Sequence, residues 1–393
     1  MVKTGLETFF KSGGAAGKLA GARVGLIVNP ASINPSCIHA ADVFAGRAAD
    51  FGFRLTALFG PQHGIRGETQ DNMIEWSGFT DPKLGIPAHS LYGETREPTV
   101  EMLSDADVLV FDVQDVGTRV YTFIWTMALA MRSCARLGKK FVILDRPNPI
   151  GGLEVEGAPL DSEFSSFVGL LPIPMRHGMT TAELALMFKS EFGIGCDLEI
   201  VKMEGWRREM TFEQTGLPWV LPSPNMPTPD TARVYPGGVI FEGTNVSEGR
   251  GTTRPFELVG APWADARALA DGLNARELPG TLFRECWFEP TFHKWAGKRC
   301  GGVQTHVIDA AAFRPLEAAL CLLSDIRAQS PSEFAWKQPP YEYEHIRLPI
   351  DLIFGSDTVR KDIEAGRDPR DIAASWRPGE EYFRRLREKY FLY

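Results

Sequence analysis

Short apolar runs alternate with helical stretches over the first 145 residues of the chain. The runs are nearly continuous in apolar character and cover residues 24–30, 55–60, 108–114 and 141–145. Plausible amphipathic helices lie between them, near residues 36–50 and 121–137. Buried strands that alternate with helices in this way are typical of a parallel sheet covered on both faces. The pattern therefore predicts an α/β fold.

Polar side chains follow each of these predicted strands. They are Asn29, Gln62, His63, Asp112, Asp115, Asp145 and Arg146. Because parallel strands bring their carboxyl ends to one edge of a sheet, we expect these groups to converge on a shared cleft, where open α/β sheets bind ligands.

The second half of the chain has a mixed pattern. Residues 180–192 predict a helix with Thr180 as N-cap and Glu183 three residues later. Six prolines between residues 217 and 236 predict a rigid, extended crossing rather than a helix or an interior strand. This places a domain boundary near residue 230, with an N-terminal domain over 1–229 and a smaller one over 230–393.

Beyond that boundary the pattern predicts further helices and one strand. The helices are expected near residues 262–276, 312–328 and 357–390, and the strand near 302–309.

Composition excludes several function classes. The chain has 393 residues, 44% hydrophobic content and a net charge of -8 without basic clusters. This argues against a nucleic-acid surface or an anionic membrane as partner and favours a small ligand. Six widely spaced cysteines give no zinc spacing and no disulfide pattern. Without an apolar export segment near Met1 or a membrane-spanning run, we expect a cytoplasmic protein.

The most polar loop of the chain is EGTNVSEGRGT at residues 242–252. It follows the apolar run at 239–241, so we expect it to leave the end of a strand, with Glu242 at the strand's mouth. Asn245 and Arg250 are further candidate binding groups in this loop.

A second loop, GPQHGIRGE at residues 60–68, lacks the spacing of a phosphate loop or a dinucleotide fingerprint. Its glycines allow His63, Arg66 and Glu68 to approach a ligand closely. The alternative is a surface loop with a satisfied histidine.

Several charged candidates also have a structural alternative. Asp112 and Asp115 either hold a cation, divide acid and base roles, or cap a helix and pair with Arg119. No metal-ligand spacing is present, so no metal is expected. Arg146 and Asn148 lie in a loop stiffened by prolines. They either contact the substrate or hold the loop in place, through an Arg–Asp pair in the case of Arg146. His177 is either an acid or base, a sugar contact or a structural residue.

Carboxylates are the candidate catalytic groups, because no GxSxG elbow or reactive cysteine signature is present. Glycoside hydrolysis uses one carboxyl group to protonate the leaving oxygen and a second as base or nucleophile. Glu242, opposite Asp112 or Glu68 across a cleft, meets that requirement.

Six motifs resemble those of one known family along nearly the whole chain. They are GPQHGIRG (60–67), FDVQDVG (111–117), LDRPNP (144–149), PMRHGMT (174–180), PSPN (222–225) and the loop at 242–252. On these motifs the chain is identified as a member of the DUF1343 family, which includes exo-β-N-acetylmuramidases of the NamZ type.

The resemblance implies a Rossmann-like N-terminal domain, a smaller C-terminal α/β domain and an active site in their cleft. It also implies removal of N-acetylmuramic acid from the non-reducing ends of peptidoglycan fragments in cell-wall recycling, without a cofactor. Glu242 with Asp112 or Asp115 would be the leading carboxylates. Arg66, Arg146 or Arg250 would bind the lactyl carboxylate, and His63, His177, Asn225 and Asn245 would position hydroxyl and acetamido groups.

One position departs from the family pattern. Muramidase members often have glutamate where this chain has Gln62, and an amide cannot transfer a proton as a carboxyl group does. If that glutamate is the family's general acid, either another residue takes that role here, with Glu68 as the nearest candidate, or the activity of this protein differs. The alternatives are a non-catalytic amino-sugar-binding protein and a hydrolase of another glycoside.

Overall fold

The first half of the chain forms a seven-stranded sheet. The computed structural model describes residues 1–11, 13–67, 69–71 and 73–393. The strands are β1 (Arg23–Val28), β2 (Arg54–Gly60), β3 (Phe79–Thr80), β4 (Pro87–Ser90), β5 (Val108–Asp112), β6 (Lys140–Leu144) and β7 (Asp197–Val201). They lie in the order β3-β4-β2-β1-β5-β6-β7, and every pair is parallel except β3 with β4.

This order reverses direction at β1, which pairs with β2 on one side and β5 on the other. Such a switch point opens a crevice at the carboxyl ends of the strands. The predicted α/β fold with a Rossmann-like parallel sheet is confirmed, and the residues after β2 and β5 lie at the same edge.

Both faces of the sheet are buried at its centre, where side chains of β1, β5 and β6 alternate between two cores. Along β5, Leu109 and Phe111 belong to the larger core, whereas Val108 and Val110 belong to the smaller one. The larger core includes apolar residues of the helices Phe123–Leu137 and Thr181–Glu191, and the smaller one includes those of Ala40–Phe51.

The described residues form twelve α-helices. They are α1 (Gly5–Phe9), α2 (Ala40–Phe51), α3 (Phe123–Leu137), α4 (Thr181–Glu191), α5 (Phe212–Thr215), α6 (Pro229–Gly238), α7 (Ala266–Asn274), α8 (Pro315–Gln329), α9 (Pro349–Phe354), α10 (Thr358–Glu364), α11 (Pro369–Ser375) and α12 (Arg377–Arg387). The predicted capping box of α4 is present, with Thr180 and Glu183 satisfying each other's backbone N–H groups.

The second half contains a small antiparallel sheet and most of the short helices. Its strands are β8 (Leu258–Ala261), β9 (Thr281–Phe288) and β10 (Cys300–Val307), in the order β8-β10-β9. The larger hydrophobic core runs without a break from β1 to α12, through both halves. The division into two domains at residue 230 stays a prediction.

Two predictions near that division are wrong. The proline-rich stretch is not extended throughout, because α6 begins at Pro229, where proline is tolerated and the Thr228 side chain caps the helix. The run at 239–241 is not a strand. It continues α6 as a 3₁₀ helix, Val239–Gly243, whose apolar residues are buried in the core. Glu242 therefore lies in a helical turn and not at the mouth of a strand.

The C-terminus returns to the carboxyl edge of the large sheet. Arg387 donates hydrogen bonds to the carbonyls of Gly152, His177 and Gly178, and the Tyr393 hydroxyl donates to Asp145. Within the described residues no helix is long and apolar enough to cross a membrane.

Candidate active site

A polar cavity lies at the carboxyl edge of the large sheet, between the two halves of the chain. The cavity and its open mouth together comprise about 440 Å³. Its polar lining comes from loops after β2 and β5, from the proline-rich segment and from the second half of the chain. These residues are Gln62, His63, Tyr121, Thr122, Ser223, Asn225, Tyr235, Glu242, Arg250, Tyr341 and Glu342.

Glu242 is buried in this lining and held by two partners. Arg250 Nη2 donates to its Oε1 at 2.6 Å, and the Tyr341 hydroxyl donates to its Oε2 at 2.7 Å. Both partners also line the cavity. The carboxylate is thus fixed at both oxygens beside the space that a ligand would occupy.

Arg250 lies between two buried glutamates. Its Nε is 3.3 Å from Glu248 Oε1, in addition to its contact with Glu242. Although burial opposes it, these two carboxylates raise the pKa of Arg250. Lys294 also donates to Glu248, at 2.7 Å. Burial alone would raise the pKa of Glu248, but the charges of Lys294, His293 and Arg250 lower it to about 2.

Glu342 is the second carboxyl group of the cavity, and the sequence analysis did not single it out. Its Oε1 accepts from Gln62 Nε2 at 3.0 Å, and its Oε2 accepts from the Tyr92 hydroxyl at 2.7 Å. Burial raises the pKa of Glu342 to about 7, although these two hydrogen bonds lower it. A carboxyl group with such a pKa is protonated in part at neutral pH, which suits a general acid.

Backbone strain accompanies this placement. Glu342 and Tyr343 have positive φ angles of 46° and 69°, a conformation that costs a non-glycine residue roughly 1–3 kcal/mol and often occurs at functional sites. The sequence offers a signal for these residues in the segment PPYEYE at 339–344, where tyrosines alternate with glutamates after two prolines.

Gln62 is a hydrogen-bonding partner of this carboxyl group. Besides Glu342, its Nε2 donates to the Tyr92 hydroxyl at 3.2 Å, and its Oε1 accepts from Thr122 at 2.7 Å. The amide is held at both ends and orients Glu342 without carrying charge.

His63 lines the cavity as a neutral ring. Burial lowers its pKa to about 4, although the hydrogen bond with the Thr69 carbonyl opposes this. Because a carbonyl only accepts, Nδ1 carries the proton, which makes Nε2 an acceptor. His63 is therefore suited to accept a hydrogen bond from a ligand hydroxyl.

Asn225 is the fifth predicted site residue in the lining, after Gln62, His63, Glu242 and Arg250. Its amide exchanges two hydrogen bonds with Gln70, at 2.7 Å and 3.2 Å.

The predicted aspartates lie outside the cavity lining. Asp112 forms a buried, bidentate ion pair with Arg146, with distances of 2.6 Å and 2.9 Å. The alternative pairing with Arg119 is wrong, because Arg119 donates to backbone carbonyls instead. Asp115 accepts from the Gly117 N–H at 2.7 Å. Burial raises the pKa of Asp115 to about 7 despite the opposing backbone hydrogen bonds.

The other predicted residues have local structural contacts away from the cavity. Arg66 is exposed and pairs with Asp81, and Asn148 hydrogen-bonds the backbone of its own turn and of Met179. Asn245 bonds the backbone at Glu333 and Ala335.

His177 is fully buried outside the cavity lining and accepts from the Met179 N–H. Burial lowers its pKa to about 3. Glu68 lies outside the described residues. In the described ranges no group of three or more His, Cys, Asp or Glu side chains could hold a metal ion.

Comparison with known proteins gives the family. The N-terminal model of exo-β-N-acetylmuramidase NamZ matches residues 24–230, and the C-terminal model matches residues 233–393. The chain belongs to the NamZ family. A relative from Bacillus subtilis (strain 168), named peptidoglycan β-N-acetylmuramidase NamZ, is 44% identical over 392 residues, which cover 100% of this chain and 91% of the relative.

Two solved structures of DUF1343-family proteins from Bacteroides fragilis NCTC 9343 have the same fold. The first is 37% identical with a TM-score of 0.88, and the second is 29% identical with a TM-score of 0.76. Each comparison covers 100% of this chain and 99% of the other chain. The predicted DUF1343 membership is confirmed.

The buried pair of Asp112 and Arg146 predicts a large loss of stability when it is broken. Asp112→Ala leaves the Arg146 charge buried without its partner, so we expect the free energy of unfolding to fall by roughly 3–5 kcal/mol. Asp105→Ala is the control, because Asp105 pairs with Arg23 at the surface, where about 1 kcal/mol or less is expected. Denaturant unfolding measures both, and equal small losses would contradict the structural role of Asp112.

Proposed function

We propose that this protein is a glycosidase that removes N-acetylmuramic acid from the non-reducing ends of peptidoglycan fragments. The observation that carries the proposal is the presence of two carboxyl groups, Glu242 and Glu342, in one cavity but in unlike environments. Glycoside hydrolysis requires such a pair, one group protonated and the other charged. The Bacillus subtilis relative supports the choice of sugar.

In this proposal Glu342 is the general acid. Its pKa of about 7 leaves a proton available for the oxygen of the leaving group. Gln62 and Tyr92 orient the carboxyl group from either side. In this proposal Glu342 takes the proton-transfer role that an amide at position 62 cannot fill.

Glu242 is the second group, paired with Arg250 and therefore suited to act as an anion on the opposite face of the sugar. As nucleophile it would form a glycosyl-enzyme intermediate with retention of configuration, and as base it would activate water with inversion. Of Arg66, Arg146 and Arg250, the candidates for binding the lactyl carboxylate, Arg250 lines the cavity. His63 and Asn225 are the proposed contacts of the sugar hydroxyl and acetamido groups.

A second candidate function is non-catalytic binding of an amino sugar, which Gln62 favours because it removes a carboxyl group from the cavity. Pure protein that binds N-acetylmuramic acid but releases no aglycone from an aryl N-acetyl-β-muramide would establish this alternative. Release from another aryl glycoside alone would indicate a different substrate.

Cellular location follows as a further proposal. We propose that the protein works in cell-wall recycling in the cytoplasm, which is supported by six cysteines that are all free thiols. Cell fractionation should find the protein and its muramidase activity in the cytoplasmic fraction. A predominantly exported pool would contradict this proposal and leave the enzymatic one intact.

The two proposed roles predict different substrate dependence for two variants. Glu342→Gln should lower kcat/KM by about 10²–10⁴ on a disaccharide and by much less on an aryl glycoside whose leaving group needs little protonation. Glu242→Gln should lose activity on both substrates. Steady-state kinetics with both substrates measures this, with the exposed Glu101→Gln as control. A uniform loss for Glu342→Gln would contradict its assignment as the acid.

The raised pKa of Glu342 predicts the alkaline limb of the pH profile. Since the acid must carry its proton, kcat/KM of the free enzyme should fall as pH rises through about 7. Gln62→Glu places a second carboxyl group where the amide lies 3.0 Å from Glu342, so like-charge repulsion should move this limb to higher pH. A limb that does not move would show that another group sets it.

A further inference from the structure

The Tyr121 ring is held in the cavity wall by aromatic packing on two sides. It meets Phe123 in a T-shaped contact with ring centroids 4.7 Å apart, and Tyr235 in another at 5.6 Å. Its backbone N–H donates to the Thr118 carbonyl at 3.0 Å. Tyr235 belongs to α6, so both halves of the chain fix this ring. The position of its hydroxyl is therefore set before any ligand arrives.

The Tyr121 hydroxyl is a buried donor without a hydrogen bond of normal geometry among the described residues. Two other tyrosine hydroxyls near the carboxyl groups are occupied, because Tyr341 donates to Glu242 and Tyr92 donates to Glu342. Burial raises the pKa of Tyr121, although the neighbouring Ser223 hydroxyl lowers it. The phenol therefore keeps its proton and can donate to an acceptor.

An unsatisfied buried donor in a ligand cavity indicates an acceptor on the ligand. The lining of the same cavity also has an apolar part, formed by Val120, Val168, Met226 and Phe256. An acetamido group combines the two features that this wall requires, since its carbonyl oxygen is a strong acceptor and its methyl group is apolar. A hydroxyl group would satisfy the donor but not the apolar surface.

We propose that Tyr121 recognises the 2-acetamido group of the sugar, with its hydroxyl donating to the acetamido carbonyl and the apolar part of the lining holding the methyl group. This inference rests on the proposed glycosidase function and adds the residue that selects N-acetylated amino sugars. Tyr121 is a specificity-determining contact in this proposal, separate from the acid at Glu342 and the carboxylate at Glu242.

The test compares Tyr121→Phe with wild type on two substrates. These are an aryl N-acetyl-β-muramide and its analogue with a hydroxyl in place of the acetamido group at C2. Loss of the hydrogen bond should lower kcat/KM on the N-acetyl substrate about ten- to hundredfold and leave the already poor activity on the analogue little changed. Tyr382→Phe, at an exposed tyrosine of α12, is the matched control.

The melting temperature separates a ligand contact from a structural role, because only the loss of a structural residue should lower it. Because the Tyr121 hydroxyl has no hydrogen bond of normal geometry to lose among the described residues, Tyr121→Phe should melt at the wild-type temperature or above. Equal loss of activity on both substrates, no loss on either, or a clearly lower melting temperature would overturn the proposal.

If wild type releases no aglycone, the proposed function fails, and calorimetric binding tests Tyr121 separately. Wild type should then prefer N-acetylmuramic acid to muramic acid, and Tyr121→Phe should reduce that preference about tenfold or more. An unchanged preference would refute the role of Tyr121.

Discussion

The ion pair between Glu242 and Arg250 is the interaction on which the candidate site depends. Arg250 also contacts Glu248, so one buried cation lies between two buried carboxylates. Its removal would take away the cation that contacts Glu242, whereas Glu248 would keep its contact with Lys294. Glu342 has a different environment, because its side chain accepts hydrogen bonds from an uncharged amide and a phenol. One cavity therefore contains a carboxylate paired with an arginine and a carboxyl group whose pKa burial raises to about 7. This difference is what acid-assisted glycoside cleavage requires.

The fold brings these groups together in two steps. The parallel sheet places the loops after β2 and β5 at one edge, which positions Gln62 and Tyr121 on neighbouring sides of the cavity. The second half of the chain then supplies the charged groups. Tyr341 and Glu342 are consecutive, so the phenol that binds Glu242 also anchors the backbone next to the second carboxyl group.

The sequence predicts the sheet well because a strand buried on both faces is visible as a continuous apolar run. It also identifies Glu242, since a glycine-rich polar loop is a local pattern. The sequence does not predict Glu342 as a site residue, because its partner Gln62 is 280 positions away. A pairing over that distance depends on tertiary structure alone. Asp112 is the opposite case, in which a motif at a strand end indicates chemistry but burial makes the residue an internal partner of Arg146. Sequence motifs therefore indicate which residues lie at the edge of the sheet. Only the packing of the folded chain shows which of them line the cavity and which are buried as internal partners.

Infrared difference spectroscopy between wild type and Glu342→Gln tests the central claim most directly. We expect a protonated carboxyl band that belongs to Glu342, persists to near neutral pH and disappears with an apparent pKa of about 7. A Glu342 that is already ionised at pH 5 would contradict the assignment of unlike protonation states to the two carboxyl groups.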